Sequence, residues 1–153
     1  MKKLIIVRHP EDNILGGHLS TLGKDKIFNI SERFKNLNLI EGNKKSLLTS
    51  TADKAIDSAK ILGKVLSIGH IEESDFLLCD TKNHLPEHLI DVLDLVSSRE
   101  DMDTLIIVSS KEYVETFPNY FAKRKLGGPF IYEEVPESGA VVIDCVNKKI
   151  KNI

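Results

Sequence analysis

An arginine and a histidine stand side by side at the end of an apolar run, Leu4-Ile5-Ile6-Val7-Arg8-His9-Pro10. An imidazole in such a place can serve as nucleophile, base or metal ligand, and a guanidinium beside it can clamp an anion. For the pair taken alone, a strand that merely ends in two polar residues is the alternative. Two further segments repeat the arrangement. Leu47-Leu48-Thr49-Ser50-Thr51 leads to Lys54, and Leu105-Ile106-Ile107-Val108 leads to Ser109-Ser110. If these strand ends lie along one edge of a parallel sheet, Arg8, His9, Lys54 and Ser110 converge. Helices opening at about Thr51 and Lys111 then aim free N–H groups and the positive ends of their dipoles at the same place. That combination suits a phosphate-sized anion next to an imidazole.

The elements that must position these groups can be read along the chain. A strand is expected at 3–8, followed by a loop with Gly16 and Gly17 and a helix at 21–36. Ile27, Ile30, Phe34 and Leu37 fall at helical spacing in that helix, and Ser20 or Thr21 can cap it. A strand at 46–49 precedes a helix at 51–66, which carries Ala52, Ala55, Ile56, Ala59, Leu62 and Leu66 on one face. A short strand at 76–78 and a helix at 86–97, with Pro86 in its first turn, come next. Then a strand at 104–109 leads to a helix at 111–123, with Pro118 as a point of break or kink. Strands at 130–135 and 140–146, joined through Glu137-Ser138-Gly139, end the pattern. Strands alternating with helices predict an α/β class, a three-layer α/β/α sandwich with a mostly parallel central sheet, and the β-rich tail predicts an antiparallel edge.

Composition bounds the function classes. A chain of 153 residues, 41% hydrophobic and 29% charged, suits one soluble globular domain covering 1–153. A formal net charge of −2 gives no strong pull toward nucleic acid or an anionic membrane. No run reaches transmembrane length, and the four apolar residues before Arg8 are too few for a signal peptide. Cys79 and Cys145 lie far apart without a Cys-x-x-Cys pattern, which fits two thiols in a reducing cytoplasm. His84 and His88 are four apart and could pair as metal ligands, but no third ligand accompanies them, so no metal or other cofactor is expected. His18 can border the pocket, and His70 reads as surface.

In this order and spacing, Arg8-His9, Leu19-Ser20-Thr21-Leu22-Gly23-Lys24, the 47–59 segment and the 105–110 segment resemble the histidine phosphatase superfamily, the phosphoglycerate mutase-like proteins. The closest resemblance is to the short phosphohistidine phosphatase branch, and it runs from Lys3 to about Val146. The resemblance implies that His9 takes the phosphoryl group as a phosphohistidine and that Arg8 clamps the phosphate. Lys54 stands where the family usually has a second arginine, which keeps the charge and loses the bidentate fork. Ser110 stands where the family usually has a second histidine, so a neutral hydroxyl replaces a charged donor. Pro10 replaces the usual glycine and removes an N–H. A proton donor is often an acid in the segment after the short third strand, where Asp80 and Glu87 are the candidates. Thr51 and His18 complete the expected substrate contacts.

Three readings stay open from the sequence. One is an enzyme hydrolysing phosphoesters through His9 without metal, on a phosphorylated small molecule or a phosphoprotein; the lack of room for a large inserted cap implies an open site. The second is a pseudophosphatase that binds phosphorylated ligands, favoured by Ser110 and Lys54. The third is an unrelated flavodoxin-like or receiver-like domain. The first strand argues against it, because it ends in Arg-His where a receiver needs acidic metal ligands.

Overall fold

The strongest determinant of the fold is the alternation of large apolar side chains along four strands that are buried on both faces. In a computed structural model, which describes residues 1–11, 17–79, 86–128 and 134–153, β1 spans Lys3–Arg8, β2 Lys45–Thr49, β3 Ile71–Glu73, β4 Thr104–Ser109, β5 Ala140–Asp144 and β6 Lys149–Asn152. They form one sheet in the order β3-β2-β4-β1-β5-β6. The first four strands in this order are parallel, and β5 and β6 form the antiparallel edge. Because successive side chains point to opposite faces, Ile5 and Val7 enter one core while Leu4 and Ile6 enter the other.

Helices cover both faces. α1 (Thr21–Asn36) and α2 (Asp53–Leu66) place Ile27, Phe34, Ala59 and Leu62 against Ile5, Leu47 and Ile106. α3 (Leu89–Ser97) and α4 (Lys111–Phe121) place Val92, Val96, Val114 and Phe117 against Leu4, Ile6 and Ile107. The result is the three-layer α/β/α arrangement expected from the alternation of elements. β1, α1 and β4 have the bounds read from the sequence, and Ser20 caps α1 by accepting from the Gly23 amide at 3.1 Å.

Other boundaries need correction. The apolar trio at 76–78 is no strand: Asp75–Leu77 form a 3-10 turn, and the strand lies earlier, at Ile71–Glu73. α2 begins at Asp53, because Ala52 takes the cap position and the Thr51 hydroxyl donates to Asp75 at 2.8 Å. Pro86 lies outside α3, which starts at Leu89. Pro118 breaks nothing: α4 runs through it to Phe121 and continues as a π-helical turn at Ala122–Leu126. The strand expected at 130–135 falls mostly outside the described residues, and Glu134 and Val135 are not in a strand. β5 ends at Asp144, whose carboxylate accepts from the Val146 and Asn147 amides and turns the chain into β6.

Register sets the site. Arg8 pairs with Ser109, and Thr49 with Val108, so the carboxyl ends of β1, β4 and β2 stop level with one another. Gly139 packs tightly beside this edge. Its carbonyl accepts from the Arg8 amide, and a Cβ there would come within 2.8 Å of the Pro136 carbonyl oxygen. Across the edge, the buried Ser109 hydroxyl donates to the Leu77 carbonyl at 2.7 Å and ties the 3-10 turn to β4. Removing this donor leaves a buried carbonyl without its partner, which typically costs about 1–3 kcal/mol. Ser109→Ala is therefore expected to lower stability by about that amount in denaturant unfolding; an unchanged midpoint would show that water replaces the hydroxyl.

Candidate functional site

Three strand ends and two helix starts meet in a cleft of about 300 Å³. β1 supplies His9 and, two residues on, Glu11. β2 and the start of α2 supply Ser50, Ala52 and Lys54. The 3-10 turn and its exit supply Leu77, Leu78 and Cys79. The start of α4 supplies Ser110 and Glu112. His9, Lys54 and Ser110 thus share one cleft, from three strands that are separate in sequence. Where α2 and α4 face the cleft, neither has a side-chain cap. The first-turn amides of both helices are therefore left to other partners.

His9 is only 2% exposed. Its backbone N–H continues the ladder to the Ser109 carbonyl at 3.1 Å, so the residue is fixed by the sheet. The ring Nδ1 lies 3.2 Å from the Pro10 carbonyl oxygen. A carbonyl only accepts, so Nδ1 carries the proton and Nε2 keeps its lone pair. Burial, reinforced by the positive charge of Lys54, holds the imidazole below its usual pKa of 6.5. The ring is therefore neutral at pH 7, in the tautomer a nucleophile at Nε2 requires.

Arg8 follows a different course. The alternation of β1 turns its side chain away from His9, and Nη1 donates to the Val135 carbonyl at 2.7 Å. Nε is buried without a partner among the described residues, and Nη2 lies 3.8 Å from Glu11. The guanidinium does not line the cleft. Lys54 does, and its ammonium is 3.0 Å from the Glu11 carboxylate. The Ser110 hydroxyl is buried without a hydrogen-bond partner among the described residues.

The remaining expected residues lie elsewhere. Thr51 is taken up by Asp75 and is absent from the cleft lining. His18 is held against α2, with Nδ1 3.0 Å from Asp57 and Nε2 3.9 Å from Asp53, and does not border the cleft. Asp80 and His84 lie outside the described residues, and Glu87 is exposed away from the lining. The His88 ring is paired with Asp91 at 3.1 Å, and no metal-ligating cluster exists among the described residues.

Sequence reasoning missed Glu11, Glu112 and Cys79. The two acids carried a usable signal: each stands two residues beyond a cleft-forming position, His9 and Ser110. They change the electrostatics, because the described lining holds two carboxylates against the one ammonium of Lys54. The site is not the bare cation nest that Arg8 and Lys54 alone would make.

The neutrality of His9 has a measurable consequence. The unfolded chain protonates this ring near pH 6.5 and the folded chain only at lower pH, so the unfolded state binds more protons in between. The stability associated with a neutral, buried His9 is full above pH 6.5 and is lost as pH falls toward the folded-state value. Melting curves from pH 7.5 to pH 5 should therefore fall more steeply for the native chain than for His9→Gln; parallel curves would mean the ring is solvated.

No family model matches the chain, and no curated protein matches it by sequence. Solved structures share its fold. The protein histidine phosphatase SixA complexed with tungstate aligns at a TM-score of 0.67 and 15% identity, over 99% of this chain and 94% of that one. Phosphoglycerate mutase from Plasmodium falciparum aligns at 0.61 and 15% identity, over 99% and 87%. Phosphoserine phosphatase from Entamoeba histolytica, in complex with 3-phosphoglyceric acid, aligns at 0.62 and 14% identity, over 99% and 95%. The fold is that of the histidine phosphatases. No helix among the described residues is long and apolar enough to cross a membrane.

Proposed function

We propose that this chain, with its histidine phosphatase fold, is a metal-independent phosphatase that works through a phosphohistidine on His9. The observation that carries the reading is the His9 ring itself. It is buried at the end of β1, is neutral, and is hydrogen-bonded through Nδ1 so that the Nε2 lone pair is the reactive one. Covalent catalysis by imidazole needs that protonation state and that rigidity.

In the proposed reaction the phosphoryl group sits between His9, Lys54 and the start of α4. Nε2 attacks phosphorus, the bond to the leaving oxygen breaks, and water supplies that oxygen's proton. A second water then cleaves the phosphorus–nitrogen bond and releases phosphate and free His9. Lys54 and the first-turn amides of α2 and α4 stabilise the equatorial oxygens. The cleft is open and small, which suits a phosphorylated protein side chain or a small phosphoester. The low net charge and two cysteines that share no disulfide fit a cytoplasmic setting.

A second reading is a pseudophosphatase that binds phosphorylated ligands and turns them over poorly. Two observations favour it: the neutral Ser110 hydroxyl at the cleft, and the Glu11 and Glu112 carboxylates in the lining. Assays on a generic phosphoester and on a phosphohistidine peptide decide between them. Weak activity that survives EDTA and vanishes in His9→Ala supports the enzyme, and binding without turnover supports the alternative. Ser110→His separates the role of the hydroxyl. Preorganised donors to a transferring group are typically worth roughly a hundred- to a thousandfold in rate. A folded Ser110→His variant is therefore expected to raise kcat more than it changes phosphate affinity; an unchanged kcat would mean the missing imidazole does not limit the site.

A further inference from the structure

We propose that Glu11 is a built-in competitor for the anion, occupying the cation that a phosphoryl ligand must use. The inference rests on the reading of the cleft as a phosphate site. Glu11 lines the cleft beside His9, and its two carboxylate oxygens divide between Lys54, in the lining, and Arg8, outside it. Oε2 is 3.0 Å from the Lys54 ammonium, and Oε1 is 3.8 Å from Arg8 Nη2. The carboxylate thus occupies the one ammonium of the described lining, where an incoming phosphate would bind. Arg8 is at the same time drawn onto the Val135 carbonyl.

Binding is then an exchange in which Glu11 leaves Lys54 and the ligand takes its place. The exchange is feasible because the Glu11 side chain is 42% exposed and can swing into water, whereas Lys54 is 24% exposed and stays in the cleft. A ligand of low charge gains little over the resident carboxylate. A dianion with several oxygens gains more, since it meets Lys54, the Ser110 hydroxyl and the helix amides together. Glu11 therefore sets a threshold that favours phosphoryl groups over simple anions.

Titration calorimetry with inorganic phosphate tests this on the native chain and on Glu11→Gln, Glu11→Ala, Lys54→Met and the double variant Glu11→Gln/Lys54→Met. Glu32→Gln serves as a charge control on α1, where Glu32 pairs along its own helix with Lys35. Melting curves confirm that each variant is folded. Sparing the ligand the break-up of the partly solvated Lys54–Glu11 pair is expected to tighten phosphate binding about fivefold in both Glu11 variants. The gain should disappear when Lys54 is absent, and Glu32→Gln should leave affinity unchanged. If Glu11→Gln and Glu11→Ala match the native affinity while Lys54→Met weakens it, the competitor role is overturned and the phosphate site stands. A gain that persists without Lys54, or that Glu32→Gln reproduces, is a long-range charge effect and also overturns it. If neither the native chain nor the Glu11 variants bind phosphate, the competitor role and the site reading fall together.

Discussion

The site depends on the last rungs of a parallel ladder. The His9 amide donates to Ser109, and the Ser50 amide donates to Val108 at 3.0 Å. These two bonds bring three strand ends level, and each end then releases its chain into a helix or loop. A slip of one residue in either pairing would turn the side chains of that strand to the opposite face. The two apolar cores forbid such a slip, because Leu4 and Ile5 are both fully buried and fill different layers. The position of the imidazole is therefore a product of core packing on both sides of the sheet, well away from the cleft.

The same constraint explains why Arg8 and His9 end up in different surroundings. Adjacent residues on a strand point to opposite faces, so only one of them can look into the cleft. His9, at the point where the strand gives way to the loop, lines it. Arg8, still in register with Ser109, is directed toward the Val135 segment. Its charge reaches the site through Glu11, whose other oxygen lies on Lys54. The cluster behaves as one unit, in which the pKa of His9, the orientation of Lys54 and the lie of Arg8 all depend on the same small volume.

Much of this was legible in the sequence wherever periodicity was strong. The bounds of β1, α1 and β4 follow from unbroken apolar runs or a clear helical stripe with a serine cap. Failures occurred where local pattern and tertiary context disagree. Ile71-Glu72-Glu73 reads as acidic and exposed, yet backbone pairing to β2 makes it a strand. The apolar Phe76-Leu77-Leu78 reads as a strand, yet only Leu77 is buried and the backbone is a 3-10 turn. Pro118 lacks an N–H, but its buried ring packs within α4 and the helix passes through. In the site, strand ends located His9, Lys54 and Ser110. The diversion of Thr51 to Asp75 and of His18 to Asp57 depends on partners 24 and 39 residues away, which no local pattern contains.

The outer strands bear on a different matter, the solubility of the folded chain. Among the described residues, the six-stranded sheet leaves two rims where another molecule's strand could dock and seed an assembly. Here one rim, β3, is three residues long and carries Glu72 and Glu73. The other, β6, alternates Lys149, Ile150, Lys151 and Asn152, with both lysines exposed. Short length at one end and repeated positive charge at the other both discourage an added strand. The β5–β6 hairpin thus acts as a guard rail, setting positive charge at the rim of so apolar a sheet.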